Sequence, residues 1–318
     1  MRLSPADVGR RVTVRHRLPD GVLTDVVGTL RSWSGGWTGR LEVERRDGSV
    51  TAVSAAEVAA AKVVPPEMSA EAMQAVAESG WPPEETATLG GWVLRASGGV
   101  TGRANSVRVA GRPGVPLDDA LEQVSQWYVA RDLPPLVQVP EPSAYDDGLA
   151  ARGWEVARRT ALLTAATAQV RRLATTAPGV ALERSAIPSP EWLALVEPEL
   201  DPEAVARILV RPTEAVFVSA RDASTGALLG TGRASASGSP VGRWAGVTSI
   251  LTAPEARRRG VASAVMGELA TWAEEHRCPH TYLQVLATNA EAHGLYDALG
   301  YRRHHAYEYR SPHRASPR

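Results

Sequence analysis

The sequence predicts an α/β (α+β) protein in which two successive helix-and-strand units follow a small all-β barrel. Three observations lead there. Short strand-like runs broken by Pro, Gly and Asp turns fill Val12 to Val53. Helix-period and strand-period segments alternate from Ser69 onward. The order of elements between Ser69 and Ala168 then recurs between Gly179 and Arg310. A chain of 318 residues exceeds what one core usually organises. The expected division is 1–66, 67–175 and 179–310, with a disordered tail over 311–318.

In the first segment VTVRH, VLTDVVGTLRSW, RLEVERR and SVTAVS read as strands, with turns at Pro19-Asp20-Gly21, Ser34-Gly35-Gly36 and Asp47-Gly48. Five or so such strands suggest a barrel resembling bacterial SH3-like or Sm-like modules. Its basic residues Arg10, Arg11, Arg15 and Arg17 alternate with nearby acids, which favours a packing or protein-interaction module over a nucleic-acid binder. Val63-Val64-Pro65-Pro66 reads as the linker that closes it.

The second segment opens with a helix over SAEAMQAVAESG, with Ser69 placed to cap it and Gly80 to end it. A strand at Gly90–Arg95 follows, then the stretch Thr101-Gly102-Arg103-Ala104-Asn105-Ser106-Val107. The helix DDALEQVSQWYVARDL carries Leu121, Val124, Trp127 and Tyr128 at helical spacing. After it come the strand LVQVP, a helix from Asp146 stopped by Gly153, and the strand WEVARRTALLTAAT.

In the third segment SPEWLALVE and DPEAVARILVR read as helices, the second with Asp201 at its N-cap and Pro202 at N1. EAVFVSARD, ALLGTGRASA and RWAGVTSILT are strands. APEARRRG leads into the helix VASAVMGELATWAEEH, which precedes the strand TYLQVLA, the helix NAEAHGLYDALG and the strand YRRHHAYEY.

Composition excludes several function classes. Acidic and basic residues balance at 35 each, so no overall field draws the chain to nucleic acid or to an anionic membrane, and any anion site must be local. Cys278 stands alone, which rules out an intramolecular disulfide framework and a Cys-based zinc site. Its place before Pro279, with no base arranged beside it, makes it a small buried residue and not a nucleophile. MRLSPADVGRRVTVRH lacks an apolar signal core, and no window approaches the ~20 apolar residues of a membrane span. A soluble cytoplasmic protein is expected. Adjacent His304 and His305 on a strand should face opposite ways and cannot easily chelate together, so no metal is expected there or at His293.

The chemistry concentrates between the strand ending at Pro254 and the helix after it. Arg257-Arg258-Arg259-Gly260-Val261-Ala262 presents unpaired backbone N–H groups, the positive end of a helix dipole, and a glycine that lets the backbone approach a diphosphate. Three arginines at a helix N-terminus oppose the dipole, a misfit that an anionic ligand would relieve.

Arg257-x-x-Gly260-x-Ala262 resembles the [Gln/Arg]-x-x-Gly-x-[Gly/Ala] signature of the GNAT superfamily, and TYLQVLATNAEAHGLYDALGY resembles the second half of that family's core. The resemblance implies a GNAT fold, a mixed twisted sheet with helices on both faces. The middle segment is similar to a degenerate GNAT half. The whole order is similar to an actinobacterial type with an SH3-like domain before a degenerate and an intact half.

It further implies an acetyl-CoA-dependent N-acetyltransferase acting on a primary amine. Leu251 and Thr252 would hold the pantetheine arm through backbone groups. Arg257, Arg258, Arg259, Gly260, Val261, Ala262 and Ser263 would hold the pyrophosphate, Asn289 would touch the pantetheine, and Tyr296 would protonate the departing CoA thiolate. Arg258 stands where many members have a second glycine, which implies a stiffer loop.

The strand RWAGVTSILT carries no carboxylate to act as general base, leaving Glu255, Glu308, His304 or a water chain. Arg103 and Asn105 fit either the lining of an acceptor pocket or a tie between domains. A non-catalytic acyl-CoA sensor and an interaction scaffold are the competing readings.

Overall fold

The computed structural model describes residues 3–34, 38–45, 47–64, 68–196, 199–239 and 242–312. The turn expected at Ser34-Gly35-Gly36, the Pro65-Pro66 part of the linker and the tail from 313 onward lie outside them. The chain divides into two compact units, Met1–Ser69 and Ala70–Arg318.

The first unit is one antiparallel sheet of five strands, β1 (Arg11–Arg17), β2 (Leu23–Ser34), β3 (Arg40–Glu44), β4 (Val50–Ser54) and β5 (Val58–Val63), in the order β4-β3-β2-β1-β5. Alternate residues such as Val12 and Val14 on β1 point inward to a small core with Val26, Leu30, Leu41 and Val43. β5 was not individually legible, because VAAAKV has neither strong β-formers throughout nor a flanking turn signal.

The second unit is built on one eleven-stranded sheet. Its first half supplies α1 (Ala70–Ser79), β6 (Glu85–Leu89), β7 (Trp92–Ala96), β8 (Val107–Arg108), α2 (Leu117–Val129), β9 (Val137–Glu141), α3 (Asp146–Ala150) and β10 (Trp154–Ala166). After α4 (Thr167–Leu173) come β11 (Val180–Ser185), α5 (Pro190–Val196), α6 (Pro202–Leu209), β12 (Ala215–Asp222), β13 (Leu228–Ser239) and β14 (Gly242–Thr252). α7 (Val261–Glu275), β15 (His280–Leu286), α8 (Ala290–Ala298) and β16 (Arg302–Pro312) complete it. β16 pairs with β10 as far as Pro312, so strand continues two residues into the stretch expected to be disordered.

The strand order is β11-β12-β13-β14-β15-β10-β16-β9-β8-β7-β6. β10, from the first half, lies between β15 and β16, while β16, from the second, pairs with β9. The halves therefore exchange their last strands and share one sheet.

α7 lies on one face because Val261, Val265, Leu269 and Trp272 recur at helical spacing and are buried. Gly232 on β13 lets it approach: a Cβ there would stand 2.4 Å from Cγ1 of Val265. α6 starts as its sequence dictates, with the Asp201 carboxylate accepting from the N–H groups of Glu203 and Ala204 at 3.2 Å each. Arg95 of the Gly-Trp-x-Leu-Arg stretch is buried, donating to Ser106 and Gln138 and meeting Glu78 at 3.3 Å, which fastens β7 to α1 and β9.

Because the second unit has its own cores on both halves, a chain beginning at Met68 is expected to unfold in a cooperative thermal transition. Circular dichroism melting of that truncated chain checks this; a broad, transitionless melt would show that the unit depends on residues before it.

Candidate active site

β14 runs parallel to β15 from Trp244 opposite His280 to Val247 opposite Leu283, and there the pairing ends. β15 continues to Leu286 beside β10, and β14 continues to Thr252 beside β13. A gap opens between the two strands. A bulge marks the point: between the pairs Thr231–Leu251 and Arg233–Thr248, β14 spends one residue more than β13. Ser249 takes a positive φ of 57°, and its carbonyl accepts from the Thr231 hydroxyl at 3.0 Å. Leu251 and Thr252 lie beyond the bulge on the gap's edge.

The chain then makes a short turn at Pro254–Ala256, closed by the Arg257 N–H donating to the Pro254 carbonyl at 3.4 Å. Arg258 adopts φ 62° and Gly260, the N-cap of α7, adopts φ 82°. The left-handed arginine costs about 1–2 kcal/mol that a glycine would not. No side chain caps α7, so the N–H groups of Val261, Ala262 and Ser263 face outward in a turn where the helix offers them no partner. Arg257, Arg258 and Arg259 are exposed around them. The carboxylate near Arg259 is Asp222 at 4.0 Å, held at about 2 by hydrogen bonds from Ser224 and Thr225. The Ser263 hydroxyl accepts from Thr175 N–H at 2.9 Å, tying the exit of α4 to the loop.

Asn289 caps α8, accepting from Ala292 N–H at 3.1 Å, which leaves its amide NH2 to donate elsewhere. Tyr296 is 8% exposed and packs edge-on against Tyr301, ring centroids 5.8 Å apart. No protein group among the described residues hydrogen-bonds its hydroxyl, and burial pushes the phenol up to about 12. It is both a core residue and an unengaged donor.

The sites considered for a general base are placed less favourably. Glu308 is buried between Arg159 at 2.6 Å and Arg310 at 2.9 Å, and Glu255 is exposed on the turn. His304 and His305 do not face opposite ways: their Nδ1 atoms meet at 2.8 Å. The register of β16 against β10 shifts there, and the bulge brings consecutive side chains together where regular alternation would separate them. His305 Nε2 also meets Gln74 at 2.8 Å.

On the sheet face away from α7, Trp81 lies beside two cations. The guanidinium of Arg103 stands 4.6 Å from its ring centroid and that of Arg233 stands 5.2 Å away. Arg233 is fully buried on β13 and donates to the carbonyls of Leu209 and Gly80, at the C-terminal ends of α6 and α1. Arg103 is carried by a loop that Asn105 organises. The Asn105 Oδ1 accepts from Ser97 and Gly99 N–H groups at 2.7 and 3.0 Å, and its Nδ2 donates to the Val100 and Thr101 carbonyls at 2.8 Å each. Thr101, β-branched, is held at φ 60° within it.

This geometry agrees with what known proteins share with the chain. A family model described as "Probable histone acetyltransferase Rv0428c C-terminal" matches residues 69–310, and one described as "Rv0428c N-terminal Sm-like domain" matches residues 6–62. The chain belongs to this family. The "Probable histone acetyltransferase Rv0428c" of Mycobacterium tuberculosis is 30% identical over 95% of this chain and 94% of that protein. The "Uncharacterized N-acetyltransferase YobR" of Bacillus subtilis is 26% identical over 72% of this chain and 93% of that one.

Among solved structures, a GCN5-related N-acetyltransferase from Kribbella flavida shares the fold with a TM-score of 0.61 at 17% identity, over 77% of this chain and 96% of that chain. A tandem GNAT protein from the clavulanic acid biosynthesis pathway does so with a TM-score of 0.51 at 16% identity, over 64% and 74%. This family member is thus a GNAT-type acyltransferase with a tandem fold behind a small all-β unit. Among the described residues no helix is long and apolar enough to cross a membrane.

Sequence reasoning named the loop residues and Arg103 but missed the juxtaposition of Trp81 and Arg233. Arg233 had one signal: a lone charge in Gly-Thr-Gly-Arg-Ala-Ser, at a strand position whose neighbours are small. Asn105 answers the question left open, since all its polar atoms are spent on the loop's backbone. Asn105→Ala strands four backbone groups in a partly buried loop and is expected to lower stability by about 2–4 kcal/mol, as urea denaturation of the variant would measure.

Proposed function

We propose that this enzyme transfers the acetyl group of acetyl-CoA to a primary amine by direct attack on the thioester, with 179–310 as the transferase half, 67–175 as the degenerate half and 1–66 as the barrel. The observation that carries the reading is the gap between β14 and β15, opening beside an uncapped helix N-terminus ringed by three arginines. The uncapped N–H groups and the left-handed Gly260 suit a diphosphate. In this reading Arg257 through Ser263 hold the pyrophosphate. Leu251 and Thr252 offer backbone groups to the pantetheine amides, and the Asn289 amide reaches the same arm.

The amine lone pair attacks the thioester carbon, charge develops on the carbonyl oxygen, and the C–S bond breaks as the nitrogen loses its proton. Tyr296 gives its phenolic proton to the leaving thiolate, and the phenolate takes a proton back from water once the products have left. With Glu308, His304 and Glu255 placed as they are, the attacking amine is deprotonated by water, and kcat/KM rises with pH toward the amine's own pKa. The name of the mycobacterial relative, a probable histone acetyltransferase, supports acetyl transfer.

Gly260→Glu tests the anion site. A Cβ at Gly260 meets nothing closer than the Thr176 carbonyl at 3.6 Å, so the variant has room, at the cost of a strained φ. Its carboxylate near a diphosphate, at roughly 5 Å and an effective dielectric near 20, costs about 3 kcal/mol, or ~10² in affinity. Calorimetry with acetyl-CoA on a variant that still melts cooperatively checks this; unchanged affinity would move the site elsewhere.

Tyr296→Phe keeps the ring in its core and removes only the proton. kcat is expected to fall by ~10²-fold with the acetyl-CoA dissociation constant nearly unchanged. Because the phenol titrates near 12, it stays protonated through the working range, whereas a free thiol ionises near 8–9. The defect should therefore shrink as pH rises through that window, read from the ratio of wild-type to variant rates across pH 6.5–9.5.

A further inference from the structure

The gap between β14 and β15 has two sides, and the one away from α7 has a chemistry of its own. Thr248 and Gln284 are the first residues after the last parallel pair, so they flank the opening. Thr248 faces away from α7, since its hydroxyl meets the Arg233 guanidinium at 3.4 Å. Gln284 shares the face of Tyr282 by strand alternation, and the Tyr282 hydroxyl donates to the Val76 carbonyl of α1. Trp81, Arg103 and Arg233 converge behind this opening.

Two features of that convergence are unusual. Among the described residues neither Arg103 nor Arg233 has a carboxylate partner, although both guanidinium groups lie by the Trp81 ring and repel one another. The neighbouring acids are already committed: Glu78 to Arg95 and Arg108, Glu84 to Arg207, and Glu308 to Arg159 and Arg310. Buried cations without counter-charges are costly. Arg233 offsets part of that cost at the carbonyl ends of α1 and α6; Arg103, half-buried, donates no hydrogen bond to any other described residue. Second, polar atoms are buried here without partners: Trp81 Nε1, Thr101 Oγ1 and Gln284 Oε1. Uncompensated positive charge, on a loop strained at Thr101 and locked by Asn105, is preorganised for an anion.

We propose that the acceptor is a free amino acid, an amine that also bears a carboxylate, and that Arg103, stacked on Trp81, binds that carboxylate on the sheet face opposite α7. The amine then points through the opening between Thr248 and Gln284 toward the thioester. Arg233 reinforces the positive field from within the sheet. A lysine-rich peptide fits this wall poorly, because its cations would meet two uncompensated arginines and no free acid. The inference rests on the acetyl-transfer reading above and names the substrate class for that site.

The test measures acetyl-CoA binding and acetyl transfer separately. Calorimetry first reads acetyl-CoA affinity for the full chain, its Arg103→Ala variant and its Arg103→Lys variant; Arg103 lies away from the loop at Gly260, so all three are expected to bind alike. CoA release is then followed with the proteinogenic amino acids, each beside its methyl ester, and with a lysine-rich peptide. The expected result is that at least one free amino acid is acetylated with kcat/KM at least ~10-fold above its ester. Arg103→Ala should remove that preference through a KM raised ~10–10²-fold, the scale of a lost charge-assisted hydrogen bond, and Arg103→Lys should restore part of it. Esters should be indifferent to both substitutions.

Three outcomes overturn the proposal: equal or better turnover of the esters, faster turnover of the lysine-rich peptide, or no turnover of any free amino acid by protein that binds acetyl-CoA. Absence of acetyl-CoA binding would overturn the acetyl-transfer reading itself, and this inference with it.

Discussion

The exchange of β10 and β16 between the two halves is the constraint on which the rest of the second unit depends. β10 makes seven register pairs with β15 and ten with β16, so the last strand of each half is hydrogen-bonded into the other. One sheet results where two would otherwise present open edges, and edges that are paired internally carry no risk of adding a foreign strand. The exchange also carries α1 and the 97–106 loop over the face of β13 and β15. Without it the transferase half would have α7 on one side and only α5 and α6 on the other.

Polar and charged groups divide across that sheet according to what each side has to hold. On the α7 side the core is apolar up to the gap, and the positive charge stays at the exposed loop around Gly260. On the opposite side Arg233 is buried without a carboxylate, and burial lowers its guanidinium to about 9. It remains charged at neutral pH, and its charged form opposes folding there; that opposition is relieved only as pH climbs through 9. A bound anion near Arg233 would relieve it at working pH.

Much of this was legible beforehand, and the misses share a cause. The helices α2, α6 and α7 and the strands β12 to β15 follow from period, caps and turns, which act within a few residues of chain. β6, α4 and β11 were not assigned, since ETATL, TAQVRRL and VALERS are short and mix both propensities; they take their form from neighbours in the sheet or against α7. The two histidines on β16 were expected on opposite faces by a rule that holds for regular strands, and a one-residue bulge against β10 set it aside.

The sequence by itself determined the loop Arg257–Ala262 and its suitability for an anion, because a helix N-terminus, a glycine and local charge are properties of consecutive residues. It determined the barrel, the repeat of α/β units and the family. Only the tertiary structure decided which strands part, which half lends its strands to the other, and that Trp81, Arg103 and Arg233, separated by up to 152 positions in the chain, stand around one ring. Such convergence depends on sheet order and on a bulge at Ser249, and no periodicity within a segment encodes where a distant segment will lie.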